Sequence, residues 1–515
     1  MLVSTKRKKI VLNLQVPEQV LSVIPTAREF EFKGRRLVAV PHRIEETRVL
    51  RNLRIAAPGP ILHYYDWPGR HTPFVHQRET AEFLTLNPRS FCLNDMGTGK
   101  TLSALWAFDY LRRFEGVGGA MLVVSPLSTL ERTWGDEVWC NFPHLEYAVL
   151  HGPKKLAMLE GSADVFIINH DGIKSKEMSA RIARMVKDKR IRVVVVDELA
   201  AYRNSGTERY KALRALTREA EWLWGMTGTP IPNAPTDAFA QIRLISPNNV
   251  TYFNAFREAT MRQISKFKWV QRESALEYVY SVMQPAIRFN RKDCIDLPPT
   301  TYVTREVELT ADQKRMYKEM VNKFKAEHEA GQITALNEAV KIGKLLQIVC
   351  GVAYGDAGDV VVPAQHRLDA LLELVEEAGA KVIVFVPFRG ALEHVASHLR
   401  THGYSTEVVH GGVSKADRDR IFSDFMRSRD PRVIAAQPAT MSHGLTLTAA
   451  NTIVWFAAVT SNETYEQANA RIVRPGQKSN TLIAHLEGSE VERRLYKRLQ
   501  DRGSTQGALL GMFED

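Results

Sequence analysis

Ser90-Phe-Cys-Leu-Asn94-Asp95-Met96-Gly97-Thr98-Gly99-Lys100-Thr101-Leu-Ser-Ala-Leu-Trp-Ala-Phe108 decides the fold. A short apolar run, a glycine-bearing turn and a helical pattern follow one another without a break. That order places a loop between a strand and the helix it opens. The glycines Gly97 and Gly99 let backbone N–H groups close around phosphate oxygens, with Thr98 between them. Lys100 then sets a point charge against the outer phosphates, and Thr101 offers a hydroxyl to Mg²⁺. The helix N-terminus adds its partial positive charge. The strict pattern G-x-x-x-x-G-K-[ST] would have Gly at position 94, where this chain has Asn94.

Working outward, short β-branched runs alternate with helical segments. Ser90–Asp95, Ala120–Pro126, Val165–His170, Arg192–Glu198 and Trp222–Gly228 read as buried strands. A second set follows at Lys381–Pro387, Ser405–Gly411, Arg432–Pro438, Thr452–Ala458 and Thr481–Leu486. Buried runs alternating with helices are the α/β signature of a parallel sheet. Residues 250–350 read as mostly helical. The expectation is therefore two α/β lobes with helical insertions between them.

Two further constellations fit a phosphate loop. Asp197-Glu198 directly follows Val193–Val196, so a carboxylate at a strand end can hold Mg²⁺ while its neighbour activates water. Gln467-Ala-Asn-Ala-Arg471-Ile-Val-Arg474-Pro-Gly-Gln477 puts two arginines three apart, which predicts one shared helical face. Such a pair can reach a γ-phosphate as arginine fingers. Taken alone, the acidic pair reads as a solvated loop and the arginines as surface charge. The phosphate loop in the same chain reverses both readings.

The whole chain has 515 residues and a net charge of +11, a balance that suits a polyanionic partner. Residues 1–70 carry +7 of that charge, including Lys6-Arg7-Lys8-Lys9. That run reads as an import signal, a phosphate-contacting patch or a solvated start. Arg28–Val40 alternates apolar and polar residues around Lys33-Gly34, which predicts a hairpin. Pro58, Gly59, Pro60, Pro68 and Gly69 then punctuate a linker. The segment 1–70 is expected to be a small basic β-containing accessory module. No run of ~18 apolar residues exists, so no transmembrane helix is expected. Asn13, Gln15 and Glu18 break the N-terminal apolar stretch, which argues against a secretory signal. The four cysteines are scattered, which points to a reducing compartment. A cytoplasmic location is expected, with the nucleus left open.

These motifs resemble superfamily 2 helicases, specifically the Swi/Snf-like branch of DNA-dependent ATPases, from about Pro73 to Leu499. His76-Gln77 resembles the adenine-reading glutamine motif, and Asp95–Thr101 motif I. Ser125-Pro126-Leu127 with Trp134 resembles motif Ia, and Asn169-His170-Asp171 stands at motif Ib. Asp197-Glu198-Leu199-Ala200 stands where the family has Asp-Glu-Ala-His. Thr227-Gly228-Thr229-Pro230 with Asn233 is similar to motif III, and Leu345–Cys350 to a helix between the lobes. Val384-Phe385 with Phe388 resembles motif IV, Thr440–Leu445 motif V, and Gln467–Gln477 motif VI. Ala200, His443, Val473 and Pro475 depart from the commoner family residues. Thr227–Pro230 and Gln477 point away from DEAD-box RNA helicases, and the plan is similar to compact bacterial and phage-type members. Residues 1–70 resemble the small module that precedes the motor in annealing-helicase relatives.

The resemblance implies two RecA-like lobes with ATP and Mg²⁺ between them. Residues 1–70 would be the accessory module, 71–297 lobe 1, 298–502 lobe 2 and 503–515 a tail. Gln77 would read adenine. Gly97, Thr98, Gly99, Lys100 and Gln467 would hold nucleotide, and Thr101 and Asp197 the metal. Glu198 would position water, and Arg471 and Arg474 would complete the site on lobe closure. Thr227 and Gly444 would couple the lobes, while Ser125, Asn169 and Thr440 would touch nucleic acid. The partner would be DNA, duplex or forked, with no membrane; the residues leave the oligomeric state open. RNA-directed ATPase activity, or DNA binding with weak ATPase, are the competing readings. Trp222 and Trp224 read as core and His394, His398 and His402 as a solvated helix face. Tyr64, Tyr65 and Trp67 suit base stacking and packing equally. The stretch Leu509–Asp515 reads as a fraying tail or a docking segment.

Overall fold

The sheet that opens the chain is antiparallel. Strands β1 (Leu2–Ser4), β2 (Lys9–Leu12), β3 (Arg28–Phe32) and β4 (Arg35–Pro41) lie in the order β1-β2-β4-β3. The expected hairpin is present: Phe32 faces Arg35 across a two-residue turn, with Lys33 at φ 48° and Gly34 at φ 74°. Positive φ at both positions gives the turn that matches strand twist. Ile10, Leu12, Val38 and Val40 pack on Val20, Ile24 and Leu50 to form a small separate core.

This computed structural model describes residues 1–265, 268–294, 298–329, 335–355, 358–441, 446–474 and 476–512. The chain divides into two units: one runs from Met1 to Cys294 and takes in the chain from Ala508 onward, and the other covers the residues between.

In the first unit, β5 (Arg89–Cys92), β6 (Ala120–Ser125), β7 (Tyr147–Val149), β8 (Val165–Asn169), β9 (Ile191–Asp197) and β10 (Trp222–Met226) are joined by helices. A hairpin of β11 (Met261–Ser265) and β12 (Lys268–Gln271) precedes the short β13 (Ala286–Ile287). Among the described residues the sheet runs β13-β5-β10-β9-β6-β8-β7, every pair parallel. The Val193–Val196 run is almost wholly buried, as a strand covered on both faces requires. Trp222 and Trp224 belong to the core, as expected.

In the second unit, β14 (Thr300–Glu306) and the β15 (Val352–Gly355) and β16 (Gly358–Val361) hairpin precede β17 (Lys381–Phe385), β18 (Thr406–Val409), β19 (Val433–Ala436), β20 (Ala450–Trp455) and β21 (Thr481–Glu487). Its main sheet runs β14-β21-β20-β17-β19-β18, again parallel throughout. Arg367 and Glu492, both buried, pair at 2.8 Å and fasten helix Gln365–Glu377 to helix Glu490–Gly511. Both sheets are those of an α/β protein, as the residue pattern required. Residues 250–350 are less helical than expected, because β11–β14 fall within them.

The stretch read as a linker is packed. Ile61 is fully buried, Tyr65 donates to Asp109 at 2.6 Å, and Trp106 donates its indole N–H to the Pro68 carbonyl at 2.8 Å. Trp67 meets Trp106 edge to face, so these aromatic rings serve packing. The basic module is likewise docked. Arg48 donates to the Leu86 and Thr85 carbonyls at 2.7 and 3.2 Å and lies over the Trp222 ring. Arg51 pairs with Glu82 at 2.5 Å. Arg48 thereby satisfies the terminal carbonyls of helix Val75–Leu86, a favourable place for a cation. The His398 and His402 ring centres lie 4.4 Å apart at the far end of helix Arg389–Thr401. No group of His, Cys, Asp or Glu among the described residues could hold a metal there.

Candidate nucleotide site

Strand register gathers the expected residues of the first unit. Met226 on β10 lies opposite Cys92 on β5 and Asp197 on β9. The phosphate loop, the acidic pair and the Thr227 loop therefore leave the sheet side by side at its carboxyl edge. That edge is where open α/β sheets bind ligands. Ser125 and Asn169 end β6 and β8 on the same edge, opposite each other.

The phosphate loop has the backbone its sequence demanded. Gly97 and Gly99 sit at φ 85° and 80°, in the left-handed region. A Cβ at Gly99 would also lie 2.0 Å from the Gln77 side-chain nitrogen. Lys100 opens helix Lys100–Phe114, and its ammonium donates to the Asn94 and Asp95 carbonyls at 2.8 and 3.1 Å. Gln77 accepts from Phe74 N at 3.0 Å and donates to the Thr98 carbonyl at 3.3 Å. His76 reaches the same carbonyl through Nε2 at 2.9 Å. A carbonyl only accepts, so Nε2 carries the proton; burial lowers the pKa of this imidazole.

Asp197 is held on both oxygens. The Trp134 indole donates to Oδ2 at 3.0 Å, and the Glu198 N–H donates to Oδ1 at 3.1 Å. Burial raises this carboxyl above the ordinary value, while Trp134, the Lys100 charge and the Glu198 N–H oppose the rise. Glu198 adopts φ 51° and ψ 55°, a left-handed conformation in a non-glycine residue. Such a conformation costs about 1–3 kcal/mol and clusters at functional sites. Thr227 is fully buried; its hydroxyl accepts from Thr229 N at 3.1 Å.

Asn94 and Asp95 bind a segment the sequence reading left out. Asn94 donates to Thr80 Oγ1 at 2.8 Å and accepts from Phe289 N at 2.9 Å. Asp95 accepts from Arg288 Nη2 at 2.7 Å and from Arg291 N at 3.0 Å. Arg288 also donates to the Leu93 carbonyl at 2.6 Å. Where the strict motif has glycine, Asn94 thus joins the Gln77 helix to the chain leaving this unit. Nothing local in the sequence flags Arg288, which is 193 positions from Asp95. Arg288→Ala leaves the partly buried Asp95 carboxylate with the Arg291 N–H and no charge partner, a loss of about 3 kcal/mol. Its thermal midpoint is expected to fall by several degrees, and equilibrium titration is expected to show weaker ATP binding.

The remaining expected contacts are placed as follows. Ser125 is fully buried, its hydroxyl 3.2 Å from that of Thr129. Asn169 is half-buried. In the second unit Thr440 donates to the Gln437 carbonyl at 2.7 Å. Gly444 lies outside the described residues. Gln467 is almost wholly buried, and Arg471 donates from Nε to its carbonyl at 2.8 Å. Arg474 is half-buried.

The shared helical face expected for the two arginines is not formed. The helix ends at Asn469, and both arginines lie in the turns beyond it. Leu447 N takes the Arg471 carbonyl at 3.0 Å, and the Gln477 side chain reaches the Ile472 carbonyl at 3.3 Å. Beyond Asn469 the backbone tightens: Arg471 N bonds to the Ala468 carbonyl at 3.2 Å and Arg474 N to the Ile472 carbonyl at 3.1 Å, in place of the i to i−4 bonds that would extend the helix.

A model of the SNF2-related domain matches residues 76–351, and one of the helicase conserved C-terminal domain matches residues 366–476. The chain is 26% identical over 443 residues to a chromodomain-helicase-DNA-binding protein 1-like protein of Danio rerio, covering 82% of this chain and 42% of that one. It is 25% identical over 464 residues to putative protein p41 of Acyrthosiphon pisum secondary endosymbiont phage 1, covering 84% and 97%. The chain thus spans less than half of the Danio protein and nearly all of the phage protein. A solved Sulfolobus solfataricus SWI2/SNF2 ATPase core in complex with dsDNA aligns over 87% of this chain and 95% of that one, with TM-score 0.42 and 22% identity.

Proposed function

This chain belongs to the SNF2-related family, and from that premise we propose that it is a DNA-dependent ATPase that uses ATP hydrolysis to move along or remodel DNA. The observation that carries the reading is the convergence of Lys100, Asp197 and Glu198 at the carboxyl ends of β5 and β9, the two strands that flank β10. The left-handed Glu198 and the Lys100 charge acting on Asp197 support it. The name of the Danio relative, a helicase-DNA-binding protein, supports DNA as the partner.

The residues suit ATP with Mg²⁺. Two left-handed glycines form a cradle at a helix N-terminus, where backbone N–H groups attract phosphate. Thr101 and Asp197 offer the hard oxygen donors that Mg²⁺ prefers. ATP with Mg²⁺ would supply a transferable phosphoryl group and neutralise part of its charge. Lys100 would give up its loop carbonyls and hold phosphate oxygens. Gln77 would exchange its bond to Thr98 for the adenine edge. Glu198 would orient water and take its proton, and Gln467 would line the nucleotide. Arg471 and Arg474 would stabilise charge when the lobes close, and Thr227 and Gly444 would carry that closure. Ser125, Asn169 and Thr440 would line the path of the DNA backbone.

ATP turnover measured against single-stranded, duplex and forked DNA and RNA tests the reading. Duplex or forked DNA is expected to stimulate turnover, and equal stimulation by RNA overturns the assignment of DNA. Strand separation also needs a wedge at the fork, and the short, regular sequence between Thr440 and Arg474 shows no insertion for one. Displacement of a triplex-forming strand is therefore expected, with little unwinding of a tailed duplex at equal turnover. Efficient unwinding would make the protein a strand-separating helicase, with its wedge in residues 250–350 or in the N-terminal hairpin.

A further inference from the structure

We propose that the outward face of the N-terminal sheet is a binding platform for single-stranded nucleic acid. The proposal names the form of DNA this module would meet, and so rests on the DNA-directed reading of the motor.

Residues directly opposite in a sheet share a face. Phe32 lies opposite Arg35, Phe30 opposite Leu37 and Arg28 opposite Ala39. Lys9 lies opposite Pro41 on the same face. The other face, with Ile10, Leu12, Val38 and Val40, is the one that packs on the module's core. The outward face leaves Phe30 38% and Phe32 57% exposed. Its cations are Arg28, Arg35 and Lys9, with Lys33 at the turn, its ammonium 5.6 Å from the Phe32 ring centre. The carboxylates Glu29 and Glu31 lie on the opposite face, and Arg36 neutralises Glu29.

Two exposed rings among cations, with no carboxylate between them, complement a polyanion that offers flat apolar faces. Single strands have that chemistry, since their unstacked bases lie on aromatic rings while the backbone meets cations. A duplex hides its base faces, so it would engage the cations alone. Phe30 and Phe32 stand two residues apart, ~6.8 Å along the strand, room for one base on each ring. An acidic protein surface could meet the cations, but would leave the rings without flat partners.

The test uses the full chain without nucleotide and a fluorescein-labelled oligothymidylate, read by anisotropy. Phe30→Ala with Phe32→Ala is expected to weaken binding by on the order of tenfold or more. Its salt dependence is expected to keep the parent slope. Lys33→Gln with Arg35→Gln is expected to flatten that slope by about 0.7 for each phosphate no longer neutralised. Phe32→Trp is expected to hold or tighten binding. A double phenylalanine variant that binds within twofold of the parent, with an unchanged thermal midpoint, overturns the proposal. So does an unchanged slope in the charge variant, which leaves the face to a protein partner. Duplex-stimulated ATP turnover of the same variants separates the two readings. The platform variants are expected to retain it, whereas its absence in the parent would defeat the motor while leaving the oligothymidylate result standing.

Discussion

Glu198→Gln is expected to bind ATP and fail to hydrolyse it, with turnover lower by on the order of 10³-fold. The substitution keeps the size of the side chain and removes only its capacity to take a proton. The backbone N–H of residue 198 still donates to Asp197, and Trp134 still holds the other oxygen. The carboxylate proposed to hold the metal is therefore undisturbed, and the ATP complex should be isolable by gel filtration. Lys100→Ala is expected to fail one step earlier. The ammonium that bridges the Asn94 and Asp95 carbonyls is the charge proposed to hold phosphate. Without it, equilibrium ATP binding and turnover should both collapse. Near-parent turnover in either variant would mean that chemistry occurs elsewhere.

Arg474→Ala is expected to cost about 10³-fold or more in turnover while ATP affinity changes far less. An arginine that acts on charge developing in the transition state contributes little to ground-state binding. Arg471 offers a contrast within the same stretch. Its Nε is committed to the Gln467 carbonyl, and it is buried to 5% exposure, so Arg471→Ala is expected to lower stability as well as turnover. Measuring the thermal midpoint beside single-turnover hydrolysis separates the two residues. An Arg474→Ala protein with full DNA-stimulated turnover would return Arg474 to the surface charges.

These expectations draw unequally on sequence and structure. The strand before the phosphate loop, the Val193–Val196 strand and the Lys33-Gly34 turn were legible because each is specified locally. A buried run of β-branched residues, or a positive-φ pair between alternating strands, needs no distant partner to be recognised. Lys100, Asp197 and Glu198 were legible for the same reason, since strand ends position them. β14 was not legible: its residues are largely exposed, with no apolar run, and only pairing with β21 makes it a strand. The two-residue β13 was likewise invisible until it lay against β5.

The chain alone determined two α/β lobes, a phosphate loop and the acidic pair behind it, because spacing and periodicity carry that information. Tertiary structure alone decided how the loop is held. Trp134 reaches Asp197 across 63 positions and Arg288 reaches Asp95 across 193, and neither pairing leaves a periodic trace. It also decided where the motif VI helix stops. Spacing predicted a continuous turn through Arg474, but beyond Asn469 the Arg471 and Arg474 N–H groups bond to the Ala468 and Ile472 carbonyls and leave the helical ladder, and Leu447 N and the Gln477 side chain hold the turn that results. Local propensity sets which elements form, and hydrogen bonds between residues far apart in sequence set what those elements grip.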